Sequence, residues 1–124
     1  MVKIAIIEDD ATISQMYRMK FEADGFDVRL ASNGLIGVSL IESFRPDVIL
    51  LDIQMPEMDG AEALRRIRSH AWGKTIPVIV LTNLGEEEAP CEMRSLGIQG
   101  YIVKANLTPS QVVIHAKEAL NDKR

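Results

Sequence analysis

The chain has 124 residues, 47% hydrophobic and 26% charged, with a formal net charge of −4. That length suits one globular domain, which at this size buries roughly two-thirds of its unfolded surface. The negative balance argues against a nucleic-acid or anionic-membrane surface, the one cysteine excludes an internal disulfide, and no apolar run approaches membrane-spanning length. The opening Met1-Val2-Lys3-Ile4 lacks the anatomy of a secretion signal, so a reducing, cytoplasmic setting is expected.

Residues 3–7, Lys-Ile-Ala-Ile-Ile, predict a first buried strand, and it ends in Glu8-Asp9-Asp10. Residues 11–24 place Ile13, Met16, Tyr17 and Phe21 on one helical face, and Gly25 stops that helix. Residues 27–31 predict a short second strand, Ser32-Asn33-Gly34 a turn, and residues 35–44 a second helix. No Gly-x-Gly-x-x-Gly follows the first strand, so Gly34 and Gly37 make no dinucleotide fingerprint. Val48-Ile49-Leu50-Leu51 is a continuous apolar run bounded by Pro46-Asp47 and a polar turn, the pattern of a strand buried on both faces. It ends abruptly in the carboxylate of Asp52.

Pro56 and Asp59-Gly60 punctuate the next loop, and residues 61–68 predict a third helix with Leu64 and Ile67 inward. Residues 76–81 predict a fourth strand, ending in Thr82-Asn83. The solvated run Glu86-Glu87-Glu88 then leads to a fourth helix that stops before Gly97; Pro90 makes it short, starting near Ala89. Residues 101–103 predict a fifth strand, ending in Lys104. Thr108-Pro109-Ser110-Gln111 is a capping box with proline at the first helical position. It opens a last helix with Val112, Val113, Ala116 and Leu120 inward.

Strand then helix, five times over, predicts a doubly wound α/β domain over residues 1–124, with a parallel sheet and right-handed crossovers. The carboxyl ends of its strands share one edge, where ligands sit in open α/β sheets. Glu8, Asp9, Asp52, Thr82 and Lys104 all fall there. Two carboxylates about 4 Å apart repel by roughly 4 kcal/mol at an effective dielectric near 20, so the cluster calls for a cation. Oxygen-only ligands select Mg²⁺ before Zn²⁺. A divalent ion beside an ammonium and a hydroxyl suits phosphoryl transfer, with Asp52 a possible nucleophile.

These residues carry a resemblance that covers the whole chain. Ile-Ile-Glu-Asp-Asp follows the first strand, Val-Ile-Leu-Leu-Asp-Ile-Gln-Met-Pro-Glu-Met-Asp-Gly surrounds Asp52, Val-Ile-Val-Leu-Thr leads to Thr82, and Gly-Tyr-Ile-Val-Lys leads to Lys104. In these marks the chain resembles the receiver domains of bacterial two-component response regulators, the CheY-like family. The resemblance implies a flavodoxin-like (βα)5 sheet with strand order 2-1-3-4-5. It implies a signalling switch, not an enzyme beyond its own phosphorylation and dephosphorylation. Asp52 would accept a phosphoryl group from a histidine kinase or phosphotransfer domain. Glu8, Asp9, Asp52 and the backbone carbonyl of Gln54 would hold Mg²⁺. Thr82 and Lys104 would contact the phosphoryl group, and Tyr101 would be the aromatic switch. A downstream protein would read the change on the face made by the fourth helix, the fifth strand and the last helix. No direct contact with nucleic acid or membrane is expected. The family commonly has proline after the lysine, in a cis peptide. Here Ala105 stands there, and since a cis bond before a non-proline residue costs about 2.5–4 kcal/mol, a trans peptide and a differently shaped loop are expected.

Several residues have plainer readings. Asp10 reads as a helix cap, His70 and His115 as polar surface, Cys91 as an inert thiol, Trp72 as cover for the sheet's edge, and Tyr101 as core if not a switch. Two rival functions remain. Glu8-x-Asp10-x-Thr12 weakly resembles the Asp-x-Asp-x-Thr of haloacid-dehalogenase-type phosphatases, but with Glu at the nucleophile position. A pseudo-receiver that is never phosphorylated would leave the intact acidic pair, Asp52 and Lys104 without a purpose. The sequence is compatible with a stand-alone regulator or with a piece of a longer protein.

Overall fold

The computed structural model describes residues 1–55, 57–83 and 95–122. The apolar runs become strands β1 (Lys3–Ile7), β2 (Asp27–Ala31), β3 (Val48–Leu51), β4 (Val78–Thr82) and β5 (Gly100–Val103). All neighbouring pairs are parallel, and the sheet order is β2-β1-β3-β4-β5, the flavodoxin-like order the resemblance implied. The described α-helices are α1 (Ala11–Ala23), α2 (Gly34–Phe44), α3 (Gly60–Ser69) and the C-terminal α4 (Pro109–Asp122). None is long and apolar enough to cross a membrane.

Side chains alternate along a strand, so a strand covered on both faces must be apolar throughout. Ala5, Ile7, Ile49, Leu51, Val78 and Val80 face one core, closed by Ile41 of α2 and by Ala63, Leu64 and Ile67 of α3. Ile4, Ile6, Val48, Leu50, Ile79 and Leu81 face the other, closed by Tyr17 and Phe21 of α1 and by Val112, Ala116 and Ala119 of α4. Burying each such aliphatic side chain contributes roughly 1.5–3 kcal/mol.

The caps hold the helix starts close to the strand ends. Asp10 Oδ1 accepts from the amides of Thr12 and Ile13 at 2.9 and 3.1 Å, Asn33 Oδ1 from that of Ile36 at 2.8 Å, and Asp59 Oδ1 from that of Glu62 at 2.9 Å. The expected capping box forms: the Thr108 amide donates to Gln111 Oε1 at 2.8 Å and the Gln111 amide to Thr108 Oγ1 at 3.3 Å. Helix amino termini, the positive ends of their dipoles, therefore gather at the carboxyl edge of the sheet.

Some expectations shift. Met16 is 40% exposed, because the inward stripe of α1 is Ser14, Tyr17 and Phe21, and Met16 points more than a third of a turn away from its centre. β4 begins at Val78, after Pro77, which has no amide to pair, and it includes Thr82. The helices α2 and α3 each start one residue earlier than expected, on Gly34 and Gly60. Trp72 lies in a 3-10 turn, Ala71–Gly73, with its ring stacked on His70 at 4.8 Å and Arg45 on it at 5.5 Å. The expectations for residues 84–94, including Glu86-Glu87-Glu88, Ala89, Pro90 and Cys91, lie outside the described residues.

Gly60 shows how tightly α3 sits on the loop after β3. A Cβ there would collide with the carbonyl oxygen of Asp52 and lie 2.8 Å from the Cα of Ile53. Gly100, in contrast, would place its Cβ an ordinary 3.6 Å from Ile79. Gly60→Ala is therefore expected to lower unfolding stability by about 2–3 kcal/mol, as overpacking does, and Gly100→Ala by no more than about 1 kcal/mol. Urea titrations of both variants check this; equal losses would mean that the contact under Gly60 relaxes freely.

Candidate functional site

Backbone pairing brings the acidic residues together. The Glu8 amide donates to the carbonyl of Ala31 at 3.0 Å, and the Asp52 amide to that of Ile7 at 3.0 Å. So β2 fixes Glu8 at the end of β1, and β1 fixes Asp52 at the end of β3. One potential ligand oxygen each from Glu8, Asp9 and Asp52 lies within 4.8 Å of the others. Glu8 and Asp52 are buried and Asp9 is exposed.

Lys104 enters from the end of β5. Its Nζ donates to both oxygens of Glu8, at 2.8 and 2.9 Å, and to Asp52 Oδ2 at 3.2 Å. The three side chains are 10%, 2% and 6% exposed, so these contacts are poorly screened by solvent. The described peptides are all trans, and Lys104–Asn106 forms a 3-10 turn. The loop without a proline thus still delivers the lysine to both carboxylates.

The remaining residues take distinct places. The Gln54 amide donates to Asp52 Oδ1 at 3.2 Å, which holds that carboxylate at the start of the loop. Farther along the same loop Glu57 has φ 67°, a left-handed conformation that a non-glycine residue holds at a cost of about 1–3 kcal/mol. Thr82 is fully buried at the end of β4. Tyr101 is half-buried against the core on the α2–α3 side. Asp10 is engaged as the α1 cap, so the weak phosphatase-like Glu8-x-Asp10 pairing is not assembled.

Two contributors were not legible beforehand. The second strand contributes through its backbone, since its Ala31 carbonyl seats Glu8. Tyr17 was read as an apolar helix position, but its phenol senses the site: burial pushes it up, the Lys104 ammonium pulls it down, and Glu8 pushes it up. Backbone carbonyls carry no sequence signal, but a tyrosine on an inward helical stripe could have been flagged for its hydroxyl.

The charges are unevenly matched, with three carboxylates facing one ammonium. Burial and a hydrogen bond shared with Asp52 push the Glu8 carboxyl up from 4.5 to about 7, while the Lys104 bond pulls it down. Burial pulls the Lys104 ammonium down, but its bonds to Glu8 and the two nearby negative charges outweigh this and raise it. An all-oxygen set with surplus negative charge fits a hard divalent cation such as Mg²⁺, with Glu8, Asp9 and Asp52 as the side chains that would hold it.

A stability consequence follows from Glu8. Between its unfolded and folded values, 4.5 and about 7, the folded state keeps a proton that the unfolded chain has lost. Stability therefore falls as pH rises through that window. With EDTA present, the melting midpoint is expected to drop across it. Glu8→Gln should remove most of that drop, and millimolar Mg²⁺ should offset it by binding the ionised carboxylates of the folded state. An identical pH slope in wild type and Glu8→Gln would place the titrating group elsewhere.

The family model for the response regulator receiver domain matches residues 4–116. The regulatory protein AtoC of Escherichia coli is 37% identical over 102 residues, which are 82% of this chain and 22% of that protein. The DNA-binding dual master transcriptional regulator RpaA of Synechocystis is 35% identical over 84% of this chain and 43% of its own length. The chain thus spans less than half the length of either relative. Among solved structures, the chemotaxis protein CheY4 of Vibrio cholerae is 27% identical with a TM-score of 0.89, covering 96% of this chain and 98% of that one. The family match starts inside β1 and ends inside α4, so it takes in all five strand ends and the charged groups gathered there: this chain belongs to the response regulator receiver domain family.

Proposed function

We propose that this chain is one receiver domain working as a phospho-acceptor switch in a two-component or phosphorelay system, with Asp52 as the acceptor. Receiver domains are signalling switches rather than enzymes, and the only chemistry proposed here is this chain's own phosphorylation and dephosphorylation. The observation that carries the proposal is the bridge from Lys104 to Glu8 and Asp52 at the carboxyl edge of the sheet. It holds a cation next to a buried carboxylate, where the negative charge of a phosphoryl group would arrive.

The donor would be a phosphohistidine of a histidine kinase or histidine phosphotransfer domain. One Asp52 oxygen attacks phosphorus, the P–N bond breaks, and the leaving imidazole takes up a proton. Bound Mg²⁺, held by Glu8, Asp9, Asp52 and the Gln54 carbonyl, would supply charge neutralisation of the phosphoryl oxygens. Lys104 would pair with one of those oxygens and Thr82 would donate to another. The added charge is about −1.5 to −2, enough to redraw the hydrogen bonds at this edge. Tyr101 would follow Thr82, shifting a pre-existing equilibrium on the face of the fourth helix, β5 and α4, where a downstream protein reads it. The partners proposed are proteins: RpaA is named as DNA-binding, but this chain's net charge of −4 does not favour nucleic acid. A cytoplasmic setting completes the proposal, in keeping with kinase donors and Mg²⁺.

With Mg²⁺ and acetyl phosphate, the intact mass is expected to rise by one phosphoryl group, and Asp52→Asn should show none of that gain. Equal gain in the variant would exclude Asp52. Steady turnover of p-nitrophenyl phosphate would favour a phosphatase instead. Thr82→Ala should still accept the group but lose the accompanying change in amide-exchange protection around Tyr101. If beryllofluoride, a phosphoryl mimic, alters protection there equally in wild type and Thr82→Ala, the hydroxyl is not the link.

A further inference from the structure

At the opposite edge of the sheet from the site, the last turn of α3 carries Arg68, and its side chain meets four backbone carbonyls. Its Nε donates to Leu96 at 2.9 Å, one Nη to Gly73 and Ile76 at 2.6 and 2.8 Å, and the other Nη to Gly97 at 2.7 Å. Gly73 and Ile76 lie on the path into β4; Leu96 and Gly97 lie on the path into β5. Gly97 has φ 82°, a left-handed conformation that glycine holds at little cost. Arg68 therefore ties the last turn of α3 to the approaches of two strands. Burial lowers its guanidinium, the direction expected of a cation held by carbonyls away from water.

We infer that Arg68 is a positioning residue for Lys104. The reasoning runs through β5. That strand has four residues and pairs with β4 alone, so its place along the sheet depends on how its ends are held. Gln99 ties its entry to Val78 by two hydrogen bonds, the backbone amide to the Val78 carbonyl at 2.8 Å and the side-chain oxygen from the Val78 amide at 2.7 Å. Arg68 pins the residues just before it to α3. The other end of α3 rests through Gly60 on the backbone of Asp52. One rigid helix thus references both the acceptor and the start of the strand that delivers Lys104. A slide of β5 along β4 would move the backbone from which Lys104 reaches Asp52 at 3.2 Å, already a long hydrogen bond.

The guanidinium fork matters as much as its charge. Its donors point in several fixed directions, whereas a lysine ammonium is a single point and cannot serve both strand entries. Arg68→Lys keeps the charge and loses the fork. Arg66→Lys, an exposed neighbour on the same helix, is the control.

Amide exchange of the metal-free protein reads the strand itself. In Arg68→Lys the amides of residues 98–103 are expected to exchange about tenfold faster, while those of β1 and β3 stay within about twofold, the sign of a local rather than global opening. Beryllofluoride affinity with Mg²⁺ should fall by about tenfold in Arg68→Lys and not in Arg66→Lys. Uniform acceleration through all strands would make Arg68 a plain stabiliser and overturn the inference; so would unchanged exchange of residues 98–103. The consequence for phosphoryl binding rests on the receiver reading above. A wild type that binds no beryllofluoride would sink that reading, and the exchange comparison would still decide whether Arg68 holds β5.

Discussion

The structure turns on one ammonium. Lys104 stands between the buried carboxylates of Glu8 and Asp52, which would otherwise face each other with little solvent to separate them. A cation 3 Å from a carboxylate is worth roughly 5 kcal/mol at an effective dielectric near 20, but removing both groups from water offsets much of it. The bridge is therefore not a device for making the fold stable. It makes a concentration of negative charge tolerable at a place where the backbone insists on it, and it leaves surplus charge for a divalent cation to neutralise.

The two-faced sheet explains why the charged groups meet. Glu8 continues the alternation of Ile4 and Ile6, Asp52 that of Val48 and Leu50, and Lys104 that of Ile102, all facing the core under α1 and α4. Tyr17 of α1 lies on that side too, which accounts for its sensitivity to the lysine and the glutamate. Thr82 instead continues the alternation of Val78 and Val80, and Tyr101 packs into the same α2–α3 core. Thr82, proposed to meet the phosphoryl group, and Tyr101, proposed to follow it, thus lie on the face opposite that of Glu8, Asp52 and Lys104. Parallel pairing puts them within one edge without making them compete for one pocket.

The helices contribute position more than contact. Asp10 and Asn33 cap helices within three residues of the strand ends, and Asp59 caps α3 at the far end of the loop that Asp52 opens, so capping and site-building occur on the same segments. That economy divides the roles of neighbouring acids: Asp10 accepts two amides as a cap, while Glu8 and Asp9 face the cluster. It also makes α3 a strut between edges, with Gly60 against the Asp52 backbone and Arg68 against the entries to β4 and β5.

Much of this was determined by the sequence alone. Unbroken apolar runs such as Val48–Leu51 mark strands covered on both faces, because alternation leaves no position free for a polar side chain. Acids and a lysine placed directly after such runs must share the carboxyl edge of a parallel sheet, so the membership of the site followed from strand ends. What the sequence could not carry were contacts made by backbone atoms and by reach. The Ala31 carbonyl under Glu8 and the four carbonyls around Arg68 have no residue-type signature. Met16 against Ser14 was decided by helix phase: the two lie on nearly opposite sides of α1, and packing turned the Ser14 side inward. The reach of Lys104 past Ala105 was decided by the loop's conformation, a property of tertiary packing. Identity and order along the chain are local facts that periodicity encodes; distance between strand ends exists only once the sheet has formed.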